Sequence, residues 1–520
     1  MKFNIMLPGK IEKNIGNFDW MPRSRKLCVA LLASTLLFSV ACLVGPKYQR
    51  PPAPTPEVYK EKPPDYFSQA AEWKPATPND GAPRGKWWEI FGDPQLNQLE
   101  EQVSISNQNI LAAEAQYRAA REVVRVARSG LFPTVSTSPS ATFSHSSANL
   151  SSASAGSGTR TGGSTSSVNQ NYNFPVDLTY LVDIWGSIRH SVRQSTETAQ
   201  ASYAQLENAR LSFQAELAVA YFQLHGVDGV HDLLERTVKS YEDNLQLTKD
   251  RFNSGVASGV DVAQAEAQLN NTRAELIDLG IARAQFEHAI AILTGKPPAG
   301  LSVPVNPIKA VPPAIPVGIP STLLERRPDI AVLERQMAAA NEQIGIATAA
   351  FYPALTLGAA GGFEAGSIAK WFAWPSRFWS VGPQLAETLF DAGKRRAQVA
   401  EAQAIYDATV ANYRQTVLVS FQQVEDALAA LRVLDDETNA QNAAVQAAEQ
   451  SLDISNYQYK AGTVSYLQVI TAQTTALQAE INAINLLTRR MVSSVLLIEA
   501  LGGGWDASSI PTPAAVLPGK

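Results

Sequence analysis

The sequence predicts a mainly α-helical chain with a β-barrel part, assembled from one structural unit written twice. Three observations carry that expectation. The chain matches itself at a spacing of about 200 residues, paired runs alternate polar and apolar side chains, and helical stretches of matched length surround those runs.

The duplication is read from two blocks. "NILAAEAQYRAAREVVRVARSGLFPTVS" (109–136) aligns with "DIAVLERQMAAANEQIGIATAAFYPALT" (329–356) at an offset of 220, placing Glu114 on Glu334, Gln116 on Gln336, Glu122 on Glu342 and Pro133 on Pro353. "RFNSGVASGVDV" (251–262) aligns with "QYKAGTVSYLQV" (458–469) at an offset of 207, placing Gly255 on Gly462 and Ser258 on Ser465. Gly295 falls on Gly502 at the same offset. The offset shrinks by 13 (220 − 207), so the first copy carries extra residues in its middle.

Each copy predicts the same order of elements. An alanine-rich helical stretch (95–130; 322–350) runs into a Phe-Pro or Tyr-Pro pair. Strands follow. From Thr134 to Ser144 every even position is Ser or Thr, facing Val135, Ala141 and Phe143 on the odd positions. A 23-residue loop (146–168), of which 16 residues are Ser, Thr or Gly, leads to a run where Tyr172, Phe174, Val176, Leu178, Tyr180 and Val182 alternate with Asn171, Asn173, Asp177 and Thr179. In copy two, Leu355, Leu357 and Phe363 alternate with Thr356, Gly358 and Gly362, and Trp379, Val381 and Leu385 with Ser380, Gly382 and Gln384. A period of two gives each strand one apolar and one polar face. Long helices come next, Ser187 to Ser254 and Lys394 to Ala461, 68 residues each and about 100 Å if continuous. Gly226 and Gly229 interrupt the first and mark a candidate kink. A glycine turn then sends back a shorter helix, 36 residues over 259–294, so that it and the 36-residue stretch 95–130 stacked end to end nearly equal one long helix.

Such strands suit a membrane barrel better than a soluble sheet. Runs of about 10 residues cross a bilayer when tilted, and Trp371, Phe372, Trp374, Phe378 and Trp379 cluster at strand ends as interface aromatics do. Four strands fall short of the roughly eight that close the smallest membrane barrels, and an open edge in lipid leaves backbone groups unpaired. The barrel therefore needs several chains.

The N-terminus points the same way. Residues 1–41 carry six Lys/Arg and two Asp/Glu (+4), so the chain from Cys42 onward sums to −9 against a total of −5. Arg23, Arg25 and Lys26 precede an apolar stretch from Leu27 to Val40, the layout of a secretory signal, with Met21 as an alternative start. Small residues lead to Cys42, where a lipoprotein would be acylated, although Ser39 stands where such signals usually place Leu. An uncleaved transmembrane helix over Leu27–Gly45 is the alternative; Ser34, Thr35, Ser39 and the prolyl exit weaken it. The acidic body has no Lys/Arg-rich run and argues against a nucleic-acid partner. Two cysteines, Cys28 and Cys42, with no CxxC or Cys/His cluster, exclude a disulfide framework, a zinc site and a thiol redox motif.

Taken together, "VGPKYQRP" (44–51), "WWEIFGDPQL" (87–96), "IPSTLLERRPDI" (319–330) and the paired Pro and Gly blocks resemble the TolC-like outer membrane factors, nearest the NodT-type efflux lipoproteins, over residues 42–505. The resemblance implies a homotrimer with a 12-stranded β-barrel in the outer membrane, continued by a long α-helical periplasmic barrel. It also implies service as the exit duct of a tripartite pump for small molecules, completed by a periplasmic adaptor protein and an inner-membrane transporter. By the same resemblance Cys42 carries N-palmitoyl and S-diacylglycerol groups. Gly255, Val256, Ala257, Ser258, Gly462, Thr463, Val464 and Ser465 form the adaptor-docking tip, and Asp261, Gln468 and Thr471 stand at a periplasmic gate. Relatives often place acidic residues beyond the second turn; Gln468 and Thr471 depart from this, leaving Asp261, which reads equally as a solvated helix-start residue.

The domains expected are a signal (1–41), a lipid-anchored proline-rich segment (42–84), repeat 1 (85–295), a proline-dense linker (296–320), repeat 2 (321–505) and a tail (506–520). No catalytic residue, metal or cofactor is expected: His145, His190, His225, His231 and His288 are scattered, and no GxSxG, HExxH or P-loop occurs. Two other readings stay open at this stage, a type I protein-secretion duct and a structural periplasm-spanning lipoprotein.

Overall fold

The computed structural model describes residues 43–64, 66–67, 85–145, 168–308, 311–318 and 320–516. Cys42, the signal-like head and residues 146–167 lie outside them. The chain divides into two compact units that cut across the repeats. One holds 43–45, 131–187 and 348–390, the other 46–130, 188–347 and 391–516.

The first unit is an antiparallel sheet. Strands β1 (Thr134–Thr137) and β2 (Ser140–His145) both pair with β3 (Val168–Val182), which pairs with β4 (Ala354–Ala365), which pairs with β5 (Arg377–Ala386). The run predicted from Thr134 to Ser144 is split at Ser138-Pro139, because Pro139 has no N–H to give the ladder. The register is unbroken across the gap, Thr137 opposite Val176 and Ser140 opposite Asn173, so the two pieces act as one strand. Across the sheet Val135, Leu178, Ala359 and Val381 share a face, as do Phe143, Phe174, Phe363 and Trp379; Ser136, Asp177, Ala360 and Ser380 lie on the other. Gly362 sits opposite Pro175, where a Cβ would come within 2.0 Å of the Phe174 carbonyl oxygen, so only glycine fits. Among the described residues β5 and the β1/β2 edge are each paired on one side only.

The second unit is helical. Helices α1 (Pro94–Ser106), α2 (Gln108–Ser129), α3 (Ser187–Asn253) and α4 (Gly259–Leu293) come from repeat 1, and α5 (Leu323–Arg326), α6 (Pro328–Ala349), α7 (Lys394–Lys460) and α8 (Tyr466–Ala500) from repeat 2. The long pair, α3 and α7, have 67 residues each and the returning pair, α4 and α8, 35 each, one short of the lengths expected. Helix α3 runs through Gly226 and Gly229 without a break. These glycines admit neighbours instead: a Cβ at Gly226 would lie 2.3 Å from Thr488 Oγ1, and one at Gly229 3.2 Å from Ile484. Helix α8 is apolar enough by composition to cross a membrane, yet buried residues run along it from Tyr466 to Ala500, which marks a packed helix.

The leading helices are each broken, where an unbroken one was expected. Asn107 leaves helical geometry (φ −65°, ψ 121°) and does two jobs. Its Oδ1 accepts from the Asn109 and Ile110 N–H groups at 2.9 and 3.2 Å, capping α2, while its Nδ2 donates to the last carbonyl of α4, Leu293, at 2.9 Å. One buried side chain thereby joins a helix start to a helix end. At the equivalent place in repeat 2, Pro328 pushes Arg327 into extended geometry, and Arg327 Nη1 donates to the last carbonyl of α8, Ala500, at 2.8 Å. The stacking expected of the whole stretch 95–130 thus falls to its second helix, α2.

The main core surrounds Trp87, Trp88, Tyr221, Tyr413, Met337 and Met491. Residues 46–64 strap across it: Tyr48 Oη donates to Glu334, Arg50 Nε to Tyr413 Oη at 3.2 Å, and the Lys60 and Glu61 N–H groups to the Glu425 carboxylate at 2.7 and 2.8 Å. The proline-dense linker is lashed down as well. The buried Asp228 carboxylate accepts from Arg283 Nε at 2.8 Å and the Asn306 N–H at 3.0 Å, while Glu287 accepts from the Val303 N–H at 2.7 Å. His225, Arg283 and the Asn306 amide hold the Asp228 carboxyl below its ordinary range, outweighing burial.

Candidate functional site

The residues expected to form the tip occupy two reversals of the helical unit. In the first, α3 ends at Asn253 and Gly255 adopts φ +78°, a left-handed value that closes a helix at little cost only for glycine. The Val256 and Ala257 N–H groups donate back to the Arg251 carbonyl at 2.8 and 3.2 Å. Ser258 and Asp261 then make a reciprocal cap for α4: Ser258 Oγ accepts from the Asp261 N–H at 3.2 Å, and Asp261 Oδ2 from the Ser258 N–H at 3.0 Å. The Asp261 carboxylate is therefore engaged in holding a helix start, and the half-buried Ala257 sits between the exposed Val256 and Ser258.

The second turn repeats the glycine, Gly462 at φ +76°, with the Thr463 N–H and Oγ1 both donating to the Gln458 carbonyl at 3.0 Å. Ser465 occupies the cap position of α8 without a side-chain cap bond, and Gln468 stands where Asp261 does. Gln468 and Thr471 are exposed, and Thr471 Oγ1 donates to the carbonyl of Leu467 at 2.9 Å within its own helix. No contact between Asp261 and either residue appears among the described bonds.

What joins the two turns is a cluster that the sequence reading did not single out. Tyr241, Leu245, Ala265, Leu269, Tyr459, Tyr466 and Val469 are buried together, with Val464 half-buried against them. The Arg251 guanidinium lies over the Tyr459 ring at 4.8 Å and donates to the Lys460 carbonyl at 3.1 Å, tying the end of α3 to the end of α7. Burial, then the neighbouring Tyr459, Tyr241 and Asp261, pushes the Tyr466 hydroxyl up to about 12. A usable signal was present: Arg251, Tyr459 and Tyr466 stand four, three and four residues from the turn glycines.

In the sheet unit the faces divide by chemistry. Val135, Phe143, Val176, Trp379, Val381 and Leu385 are exposed on one, a band of apolar side chains that water does not favour. The other carries Asn171, Asn173, Asp177, Glu364 and Gln384, with Asn171 Nδ2 donating to Glu364 Oε1 at 2.9 Å. One apolar face, one polar face and two edges that are each paired on one side only among the described residues are the parts of a barrel stave.

The family model of the outer membrane efflux proteins matches residues 99–296 and 319–503. The chain belongs to the outer membrane efflux protein family. It is 30% identical to the toluene efflux pump outer membrane protein TtgC of Pseudomonas putida over 476 residues, 91% of this chain and 95% of that one. Among solved structures it resembles the outer-membrane channel OprN (TM-score 0.78, 30% identity, 89% of this chain and 100% of that one). The outer membrane channel CmeC of Campylobacter jejuni is a second such neighbour (TM-score 0.79, 25% identity, 90% and 96%). The fold is thus the outer membrane factor fold, and the protein is an outer-membrane efflux channel extending into the periplasm. Outer membrane efflux proteins are a transport family and not an enzyme family.

Proposed function

We propose that three copies of this chain close a 12-stranded barrel and continue it as a helical tube, the exit duct of a tripartite pump for small hydrophobic compounds. One observation supports the assembly: a four-stranded sheet whose outer strands are each paired on one side only among the described residues, with one mainly apolar and one mainly polar face. A duct conducts without forming bonds, so no catalytic group is assigned. Relatives that act on toluene, such as TtgC, favour apolar cargo over secreted protein.

The two glycine turns serve as the adaptor-docking tip. Exposed Val256 and Thr463 and half-buried Ala257 and Val464 offer small, uncharged surface there. Ala257→Glu and Val464→Glu should still give a trimer by mass in detergent and reach the outer membrane, yet lose efflux and crosslinking to the adaptor. Full efflux in both would move the docking surface elsewhere, and a stable detergent-solubilised monomer would overturn the assembly.

Cys42 is acylated in this reading, and the strap that begins at Pro46 supports it by fixing the chain just beyond the anchor. Palmitate should label the wild type and not Cys42→Ser; equal labelling sinks the assignment.

A further inference from the structure

The loop between β4 and β5 does not project away from the sheet. It folds onto the apolar face, where the Trp371 ring meets Tyr172 at 5.5 Å and Phe372 meets Phe174 and Phe363 at 5.9 and 5.7 Å. Trp371 and Phe372 stack on each other at 5.0 Å. This aromatic pad carries two cations. Lys370 precedes the stacked pair and is exposed; Ser376 Oγ donates to its carbonyl at 2.7 Å, bringing it beside the start of β5. There Arg377 stands opposite Phe363, on the apolar face, with its guanidinium 3.8 Å from the Trp374 ring centroid.

An arginine on the lipid-facing side of a barrel is costly unless something anionic meets it. No carboxylate does so: neither Lys370 nor Arg377 has an ion pair among the described residues. In sequence, the segments that follow β2 and β4, residues 146–167 and 366–376, contain Arg160 and Lys370 and no Asp or Glu. Glu364, six residues before Lys370, lies on the opposite face and is bonded to Asn171, and Glu387 follows the far end of β5. In membrane barrels the longer loops stand at the outer surface, and Trp rings sit at headgroup depth. That places two unpaired cations, one held flat by an indole, at the level of outer-leaflet headgroups.

We propose that Lys370 and Arg377, framed by Trp371, Phe372 and Trp374, bind the phosphate of a phosphorylated glycolipid of the outer leaflet while the aromatic rings lie along its acyl region. Guanidinium and phosphate pair in a bidentate fork, and the ammonium supplies a second point charge. The site concerns the annulus of the barrel and is independent of the docking role given to the tip.

The test is native mass spectrometry of the full-length protein in detergent, using bisphosphorylated lipid A and its fully dephosphorylated form as probes. The wild type should retain the phosphorylated probe about tenfold better than the dephosphorylated one. Lys370→Gln combined with Arg377→Gln should remove most of that preference, about a tenfold loss for two surface cations. Excess inorganic phosphate should leave the lipid bound, because the rings hold the acyl region. The proposal fails if the wild type does not distinguish the two probes, if the double variant retains lipid A as the wild type does, or if free phosphate displaces it. The wild-type comparison decides even should the variant assemble poorly, and efflux would be untouched by failure here.

Discussion

In the first repeat one asparagine ties the start of α2 to the end of α4, while in the second an arginine ties the start of α6 to the end of α8. Asn107 is short and reaches both helices itself. Arg327 reaches Ala500 directly but α6 only through Asp329, which accepts its Nε at 3.0 Å and its Nη2 at 2.6 Å; Asp329 Oδ1 in turn accepts the Ile330 N–H at 2.8 Å. Two residues in the second copy share what one does in the first. The glycines did not diverge. Gly295 and Gly502 take φ of +73° and +93°, and a Cβ on either would come within 2.2 or 2.1 Å of the carbonyl oxygen of Ser106 or Arg326. After duplication, a backbone that passes this close admits one residue type, whereas a hydrogen-bonding task can be met by several.

Gly295→Ala and Gly502→Ala should therefore be the most damaging changes, and similar in size. Left-handed backbone for alanine and overpacking against a fixed carbonyl together cost about 2–5 kcal/mol. Oligomer recovered from the membrane should fall sharply for both; tolerance of one would show that its joint can relax. The side-chain ties should separate. Arg327→Ala leaves the partly buried Asp329 without its partner, about 3 kcal/mol or more, whereas Asn107→Ala loses a helix cap and one further bond, about 1–2 kcal/mol. Thermal midpoints of the two variants in detergent give the comparison, and equal losses would contradict it.

These joints mark the limit of what the sequence made legible. The strand faces, the long and returning helices and the turn glycines follow from periodicity and spacing, which are local properties. The break at Arg327 was announced by Pro328, since a residue before proline leaves helical geometry; the break at Asn107 had only an asparagine in an otherwise continuous pattern. Gly226 and Gly229 looked like interruptions because helix propensity penalises glycine, but close approach of Thr488 and Ile484, far along the chain, overrides propensity. The cluster of Arg251, Tyr459 and Tyr466 that joins the two turns was hidden for the same reason: it forms between hairpins some 200 residues apart.

The two turns differ in pH response as well, because the buried Tyr466 belongs to the second. Its hydroxyl titrates at about 12 when folded and near 10 when unfolded, so folding favours the neutral phenol. The associated stability is complete below pH 10 and is lost as pH rises from 10 through 12. The thermal midpoint of the wild type in detergent should fall across that window. Tyr466→Phe should flatten the dependence; an unchanged profile would assign the titration to another group.

The smallest expected effect discriminates most finely between the turns. Ser258 and Ser465 are equivalent by position, and both take extended geometry before a helix of 35 residues (φ −88° and −76°, ψ 158° in each). Only Ser258 closes a reciprocal cap with residue 261, an aspartate; Ser465 makes no side-chain cap bond, and residue 468 is a glutamine. Ser258→Ala should therefore cost about 1 kcal/mol of local helix stability, and Ser465→Ala a few tenths at most. Exchange of the first-turn amides of α4 should quicken several-fold in the first variant, and those of α8 should barely change in the second. Gln468→Asp places a shorter, charged acceptor opposite the Ser465 N–H and should draw the turn toward the reciprocal cap, so in that background Ser465→Ala should become more costly. If it remains silent, the second turn is held by its aromatic cluster alone, and the cap of the first turn is a local feature that the second copy does without.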